Sequence, residues 1–249
     1  MDKLLRPCIA EMVGTFMLCF IGAGAICTTG VTSGGDNAGL LGVAIAHGLA
    51  LAIGVTATMN ISGGHLNPAI TIMLWVYKKI DNDKALFYIL AQLLGSLIAG
   101  GLLMLLFREA ASATHLGTPH INNEILTTKS TGFWSRYEVP ATAIGIEAVL
   151  TFLLAFAVLA TAVDPRAPKV GGFAIGLTIA ADILVGGPIT GAAMNPARAF
   201  GPGIWDAGAF GWDIFQRSQV VYWIGPIVGA LAAGGLYFKF ILPDEKTGV

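Results

Sequence analysis

The chain has 249 residues, of which 55% are hydrophobic and only 12% are charged, and 33 of them are glycine. A soluble domain usually carries about 25% charged residues, so this composition excludes an ordinary soluble protein and favours a protein of the lipid bilayer. The formal net charge of -1 gives no electrostatic basis for binding nucleic acid. Cys8, Cys19 and Cys27 all fall in the first apolar run without metal-ligand spacing, so we expect buried free thiols.

Six apolar runs reach or approach the ~20 residues that a helix needs to cross a bilayer. They lie at about 8–30, 39–61, 85–107, 139–163, 170–187 and 218–242. Two shorter apolar pieces, at about 67–77 and 195–204, are too short to cross alone. We therefore predict an all-α membrane protein with six transmembrane helices and two re-entrant half-helices, whose ends must be buried in protein or wetted by water.

Both half-helices begin with the same Asn-Pro-Ala box. The residues are Asn67, Pro68 and Ala69 in the first box and Asn195, Pro196 and Ala197 in the second. Asparagine is a favoured N-cap, and proline is tolerated at the first helical position because its missing N–H has no partner there. A helix that begins inside a membrane directs about half a positive charge forward. Two such ends form a mid-bilayer site for a polar solute, whereas two ordinary N-caps leave half-helices in lipid unexplained.

The two halves of the chain also share an E-x-x-x-T-F motif, which begins at Glu11 and at Glu147. Each half holds three spans, an odd number, so the second copy enters the membrane from the opposite side and the two boxes meet head to head. We predict one domain with these bounds: 1–249 overall, inverted repeats at about 8–107 and 139–242, and a joining loop at 108–138. Turn residues without helical periodicity fill that loop.

Lysine and arginine are divided unequally between the two membrane faces. Nine lie on the face that carries the termini, and four lie on the other face. The nine are Lys3, Arg6, Lys78, Lys79, Lys84, Arg166, Lys169, Lys239 and Lys246, and the four are Arg108, Lys129, Arg136 and Arg217. The positive-inside rule therefore predicts cytoplasmic termini and an external 108–138 loop. No address in the sequence distinguishes a plasma membrane from a vacuolar membrane.

The paired boxes, written S-G-G-H-L-N-P-A and G-A-A-M-N-P-A-R-A-F-G-P, resemble those of the aquaporin, or major intrinsic protein, family. The likeness runs from about Cys8 to Tyr237. The stretches N-I-S-G-G-H-L-N-P-A, A-T-A-V-D-P and I-T-G-A-A-M-N-P-A are similar to the tonoplast intrinsic proteins of plants. The resemblance implies the aquaporin fold, a homotetramer with one pore per subunit, and passive passage of water.

Asn67 and Asn195 are the expected centre of that pore. If each side-chain oxygen caps its own half-helix, the amide NH2 can only donate. A water molecule at the midplane must then accept from both, which breaks the chain of bonds that a hopping proton needs, and the half-helix dipoles repel cations. The resemblance assigns the acceptors along the path to the backbone carbonyls of Gly63, Gly64, His65, Gly191, Ala192 and Ala193. The His65 side chain is expected to hold its loop rather than to titrate.

The resemblance also implies four selectivity-filter positions, found by counting from the boxes: His47, Ile183, Ala192 and Arg198. An arginine at membrane depth is a functional-site hypothesis by default, although a structural salt bridge is the alternative. Strict water channels usually carry phenylalanine and histidine at the first two positions. His47 and Ile183 therefore imply a wider opening that passes water and also ammonia, hydrogen peroxide and urea. Among the four filter positions only His47 is a group that could titrate near neutral pH, and a satisfied core histidine is the alternative.

Five further polar residues have no local explanation. Glu11 and Glu147 lie inside spans, and the resemblance implies that they hold the two box loops, with a proton relay as the alternative. Asp182, beside the filter, needs either a partner or a proton. His115 and His120 lie in the external loop, where solvent exposure is favoured over contact with the filter arginine.

Other functions fit the sequence less well. Glycerol facilitators typically carry aspartate directly after the filter arginine, where this chain has Ala199. A secondary transporter could also use a midplane site between inverted repeats, but the box loops hold no coupling carboxylate. An enzyme is not expected, because the boxes contain no nucleophile–base pair or metal cluster. We predict no cofactor and no metal; the predicted partners are water, small neutral solutes and the lipid bilayer.

Overall fold

The computed structural model describes residues 2–31, 39–126 and 135–242, and every regular element in these ranges is a helix. The long helices are α1 Asp2–Thr29, α2 Gly39–Thr58, α4 Asn82–Leu106, α7 Ser135–Val158, α8 Phe173–Thr190 and α10 Trp212–Leu236. A π-helical turn continues α7 over Leu159–Val163, and another continues α10 over Tyr237–Ile241. All six long helices contain an apolar stretch of sufficient length to cross a membrane, as predicted.

Two shorter helices begin at the Asn-Pro boxes. Helix α3 covers Pro68–Val76 and helix α9 covers Pro196–Phe210, and each follows an asparagine N-cap with extended backbone. Helix α9 is longer than the sequence pattern indicated. It ends only where Gly211 adopts a φ of 120°, a conformation that side-chain-bearing residues rarely take.

The 108–138 loop, predicted to be external, contains single helical turns that its sequence did not predict. They are α5 Ala111–Thr114, the 3-10 turn His115–Gly117 and α6 Asn123–Leu126. The Asn122 side chain caps α6 by accepting from the N–H groups of Glu124 and Ile125 at 3.0 and 3.2 Å. One turn is too short to show a hydrophobic period, so periodicity could not reveal these segments. Residues 127–134 of the loop, including Lys129, lie outside the described residues, as does Lys246.

Helix packing repeats between the two halves. Helix α1 packs on α4 as α7 packs on α10, and α1 packs on α2 as α7 packs on α8. Gly95 lies against the Met12 carbonyl in the first half, and Gly229 lies against the Ala148 carbonyl in the second. Small residues allow such close crossings where lipid supplies no hydrophobic drive between helices. These matching contacts favour the inverted repeats, whose bounds stay a prediction.

Several polar and charged side chains are buried among the apolar residues of the bundle interior, and large apolar side chains cover its outside. Glu11, Gln92 and Glu147 are completely buried, whereas Leu105 is 79% exposed and Phe240 is 71% exposed. A water-soluble protein has the opposite arrangement. The exposed apolar surface suits lipid, and the buried polar centre marks the place to look for a solute path.

Candidate functional site

The two half-helices meet tip to tip. Asn67 Nδ2 donates to the carbonyl of Met194 at 2.9 Å, and Asn195 Nδ2 donates to the carbonyl of Leu66 at 2.8 Å. Each asparagine therefore bonds the residue that precedes the opposite box. Their Oδ1 atoms accept from the N–H groups two residues later, at 2.8 and 3.0 Å, as N-caps do.

This bonding modifies the role expected for the two amides. An NH2 group has two hydrogens, and one of them now ties the two loops together, so only one remains to donate to a solute. Sequence reasoning missed the cross-loop bonds because the partners lie 127 and 129 positions apart. Both asparagines line the same narrow cavity, so the remaining donors share one space.

Glu11 holds the first box loop. Its Oε1 accepts from the Ser62 hydroxyl at 2.6 Å and from the His65 N–H at 2.9 Å. Its Oε2 accepts from the Leu66 N–H at 2.7 Å and from Gln92 Nε2 at 2.7 Å. Four donors surround this fully buried carboxyl, so it lies in a structural network and has no contact with a passing solute.

Glu147 holds the second loop in the same way. Its Oε1 accepts from the Thr190 hydroxyl at 2.7 Å and from the Ala193 N–H at 3.0 Å, and its Oε2 accepts from the Met194 N–H at 2.8 Å. Ser62 and Thr190, like Leu66 and Met194, thus occupy equivalent places. A buried carboxylate with this many donors is stable without a cation beside it.

Two buried tyrosines complete the hydrogen-bond networks of Glu11 and Glu147, which we call the two clamps. The Tyr88 hydroxyl donates to the Ser62 carbonyl at 2.9 Å, and the Tyr222 hydroxyl donates to the Thr190 carbonyl at 2.7 Å. Sequence reasoning did not find these tyrosines, Gln92 or the two hydroxyl residues. Their only signal was that polar side chains recur at matching places in the two repeats.

The clamps hold strained backbone. Leu66, Ala192 and Met194 have φ values of 49°, 44° and 51°, a region that costs a non-glycine residue about 1 kcal/mol or more. Gly63, Gly64 and His65 line a cavity with Lys79 that we call the inner cavity, and Gly191 lines a second cavity with His47 that we call the outer cavity. Ala193 is fully buried and lines none of these cavities, although its N–H bonds Glu147. The pore-lining role of these carbonyls stays a prediction.

His47 and Arg198 form one polar wall. Arg198 Nε donates to His47 Nε2 at 3.1 Å, and His47 Nδ1 lies 2.8 Å from the carbonyl of Val43. A carbonyl only accepts, so Nδ1 carries the hydrogen and Nε2 is the acceptor. Protonation of Nε2 would break the bond to Arg198 and set two cations side by side. Both ring nitrogens of His47 are thus satisfied in the neutral form, which favours the alternative of a satisfied histidine over titration near neutral pH.

The other filter candidates lie close by. Ile183 is 3% exposed and lines the outer cavity together with His47, and Ala192 is 4% exposed. Arg198 is 2% exposed, and its Nη1 has no hydrogen-bond partner in the described parts of the chain. It forms no salt bridge there, so the structural alternative of an ion pair has no support.

Three cavities lie in series through the bundle. The outer one has a volume of about 440 Å³, and the inner one, which includes Lys79, about 320 Å³. Between them a cavity of about 10 Å³ is lined by both box asparagines and shares Gly64 and His65 with the inner one. Arg198 follows Asn195, which lines the narrow cavity, and bonds His47, which lines the outer one, so the pair links residues of these two cavities.

Two polar residues near the path have different surroundings. His65 Nδ1 lies 3.1 Å from the Thr71 hydroxyl, and the ring packs edge-on against Tyr88, in agreement with a loop-holding role. Asp182 is 4% exposed, and its Oδ2 has no partner among the described residues. Asp182 forms no salt bridge with any cation in the described ranges, and a proton would satisfy this carboxyl better than a buried charge would.

The external histidines lie in the outer cavity rather than in open solvent. His115 and His120 line this cavity with His47, and neither is fully exposed. His115 Nδ1 is 3.1 Å from Asp206 Oδ1. Burial, together with electrostatic interaction with Arg198 and the neighbouring imidazole, lowers the pKa of His120 to about 4, so its imidazole is neutral at physiological pH. No hydrogen bond from His120 to Arg198 is present.

Gly191 allows the 108–138 loop to pack closely against the loop that precedes the second Asn-Pro-Ala box. Gly191 has a φ of 78°, and a Cβ there would lie 2.7 Å from Pro119 Cα and 2.9 Å from the His120 nitrogen. We expect Gly191→Ala to lower stability by about 1–3 kcal/mol, through backbone strain and loss of this contact. Thermal unfolding in detergent measures the change.

Gly145→Ala is the matched control for that substitution, because nothing lies within 4 Å of a Cβ at Gly145. The control lies inside helix α7, where alanine is the better helix former. It should leave the unfolding temperature unchanged or raise it. Equal unfolding temperatures for the two variants would contradict the close packing described at Gly191.

The sequence profile of the major intrinsic proteins matches residues 1–237 of the chain. The chain belongs to the major intrinsic protein family. This major intrinsic protein is 40% identical over 253 residues to Aquaporin TIP4-4 of Zea mays, covering 94% of this chain and 85% of the relative. It is 39% identical over 256 residues to Aquaporin AqpM of Methanothermobacter thermautotrophicus, covering 95% and 98%.

A solved structure shows the same fold. The aquaglyceroporin from Plasmodium falciparum superposes with a TM-score of 0.80 at 26% sequence identity, covering 96% of this chain and 98% of that one. The predicted family resemblance and the fold class are confirmed. This major intrinsic protein is an integral multi-pass membrane protein, and members of its family are channels rather than enzymes.

Proposed function

We infer that this protein is a passive water channel whose pore runs between the tips of α3 and α9. The observation that carries this inference is the meeting of Asn67 and Asn195 in one narrow cavity between two wider ones. Membership of the family, with aquaporins at about 40% identity, points to the same function.

The two asparagines supply orientation. One amide hydrogen of each is committed to the opposite loop, so one is left to donate to a water molecule in the cavity. A water that accepts from both sides turns its own hydrogens toward the two exits. This orientation interrupts proton hopping, and the positive ends of α3 and α9 raise the energy of any cation there.

The filter supplies selection. The polar wall of His47 and Arg198 faces the apolar Ile183. A small neutral solute can accept a hydrogen bond from the arginine on one side and contact the apolar isoleucine on the other. Ammonia, hydrogen peroxide and urea fit this description as solutes beside water. His47 offers no free acceptor, because its Nε2 already accepts from Arg198.

The loop contacts favour a rigid pore over a carrier. A secondary transporter must move one repeat against the other around its site. Here the two reciprocal asparagine bonds tie the half-helices directly to each other, and Glu11 and Glu147 are fully occupied by loop donors. A glycerol facilitator is the nearer alternative, since the structural relative is named an aquaglyceroporin. Ala199 in place of aspartate speaks against it.

Stopped-flow light scattering of proteoliposomes tests this function. Water flux should exceed that of empty vesicles, increase linearly with the osmotic gradient and need no ion gradient. Flux that saturates or requires a coupling ion would support a carrier instead. Glycerol permeability equal to that of water would favour the facilitator.

His47→Phe tests the filter. A Cβ at Gly22 would lie 2.5 Å from His47 Nε2, so α1 leaves no room behind the ring and a larger phenyl must project into the path. We expect ammonia and urea permeabilities to fall on the order of tenfold, with water reduced much less, because a narrower opening discriminates by solute size. The same proteoliposomes, challenged with each solute in turn, give the ratios.

Leu41→Phe is the control, because Leu41 is 60% exposed on the same helix and faces away from the path. It should leave all permeabilities unchanged. If His47→Phe also leaves the solute ratios unchanged, His47 does not line the constriction.

We also infer cytoplasmic termini, because six spans return the chain to its starting side and that side carries most of the lysine and arginine. Lys79 lines the inner cavity, which then opens to the cytoplasm. The tonoplast intrinsic proteins among the relatives favour a vacuolar membrane. The homotetramer stays a prediction of the family resemblance.

A further inference from the structure

Three metal-ligating side chains meet at the outer mouth of the path. One ring nitrogen each from His115 and His120 and one carboxylate oxygen of Asp206 all lie within 4.8 Å of one another. The two imidazole centroids are 4.4 Å apart with planes at 63°. The histidines belong to the external loop and Asp206 belongs to the far end of α9, so chain spacing gave no sign of this cluster.

Internal bonding does not fully explain this arrangement. The contact between His115 and Asp206 is an ordinary hydrogen bond or ion pair. His120 is different, because its Nε2 is buried and has no partner among the described residues. A buried unpartnered nitrogen costs free energy, and a ligand that accepts its lone pair removes that cost.

We propose that His115, His120 and Asp206 bind a divalent transition-metal ion of the zinc class. Two imidazoles with one carboxylate are a known ligand set for zinc, with a fourth position left for water. Calcium and magnesium prefer oxygen ligands only, so this site disfavours them. Ligand atoms around tetrahedral zinc lie roughly 3.4 Å apart, so small side-chain rotations close the site.

The site lies where a bound ion would act on the path. His115 and His120 line the outer cavity with His47 and Ile183. The backbone of Pro119 and His120 rests directly on Gly191, next to the filter candidate Ala192. A bound ion with its water would fix the loop and narrow the mouth, so zinc added from outside lowers water flux. This effect on flux, unlike the binding itself, rests on the proposed function. The charge of Arg198 weakens the affinity but does not remove the ligands.

Zinc binding is tested on the full-length protein in detergent, stripped of metal, by calorimetric titration with zinc alone. One equivalent should bind per chain, and cobalt in place of zinc should give the visible absorption of a tetrahedral site. His115→Ala and Asp206→Asn should each weaken binding at least about tenfold, because even outer-shell partners of metal sites contribute that much. Asp206→Asn keeps the side-chain shape, so it guards against misfolding of the alanine variant.

Glu109→Gln is the matched control, since Glu109 is an exposed acid at the start of the same loop and outside the cluster. It should bind zinc as the unmodified protein does. Equal zinc affinity in all variants, or no binding by the unmodified protein, would overturn the site.

Water flux is measured separately, with and without external zinc. Zinc should lower the flux of the unmodified protein and of Glu109→Gln at concentrations where binding is observed, but not that of Asp206→Asn. Unchanged flux with zinc bound would overturn the effect on the pore. Absence of flux without zinc would instead count against the proposed function, so the two failures are distinguishable.

Discussion

Glu147→Gln should destabilise the protein by about 3 kcal/mol or more, and water flux should fall to the level of empty vesicles. The carboxylate accepts from the Thr190 hydroxyl and from the N–H groups of Ala193 and Met194. In glutamine, an NH2 donor replaces one of the two acceptor oxygens, so at least one of these donors loses its acceptor. Each buried unsatisfied group costs about 1–3 kcal/mol. The strained backbone of Met194 would then lose its support.

The measurements are thermal unfolding in detergent and stopped-flow water flux of the same preparation. A loss of about 3 kcal/mol corresponds to a fall in unfolding temperature of roughly 10 °C for a chain of this size. Glu109→Gln makes the same chemical change at an exposed acid and should alter neither quantity. Normal stability and flux in Glu147→Gln would mean that the carboxylate does not hold the loop.

Arg198→Leu should make the path leaky to protons and raise urea permeability on the order of tenfold, while water still passes. The arginine is 2% exposed, and its Nε donates to His47 Nε2. A fixed positive charge about 4 Å from a passing cation opposes it by about 4 kcal/mol at an effective dielectric constant of 20. Leucine removes this barrier, and its smaller side chain also opens the polar wall.

Proton entry is measured with a pH-sensitive dye inside potassium-loaded vesicles, and urea entry by light scattering. Arg108→Leu provides the control, since Arg108 is an exposed arginine in the 108–138 loop. That control should show the proton and urea permeabilities of the unmodified protein. If Arg198→Leu has the same proton permeability as the unmodified protein, proton exclusion depends on the two asparagines alone.

The starts of α3 and α9 were predictable because capping is local chemistry. Asn67 and Asn195 each bond an N–H two residues later, and proline follows directly. The end of α9 was less predictable. It depends on Gly211, and the residues before it are compatible with either helix or loop.

The four filter candidates were predicted from the family resemblance by counting from the boxes, but the protonation of His47 could not be predicted in this way. Whether His47 titrates depends on what its two nitrogens contact, and Arg198 lies 151 residues away. His115 and His120 were expected in solvent because the local sequence does not show which distant residues contact them. Asp206 and the wall of the outer cavity reach them from elements far along the chain.

The sequence by itself determined the membrane class, the six candidate spans and the starts of the two half-helices, whereas the inverted duplication stays a prediction. These follow from composition, periodicity and capping, which act over a few residues. Only the tertiary structure decided the reciprocal bonds of Asn67 and Asn195, the tyrosine-backed clamps, the neutral His47 and the cluster at the outer mouth. Each of these depends on side chains that folding brings together from distant positions, and pairings at such range leave no local pattern.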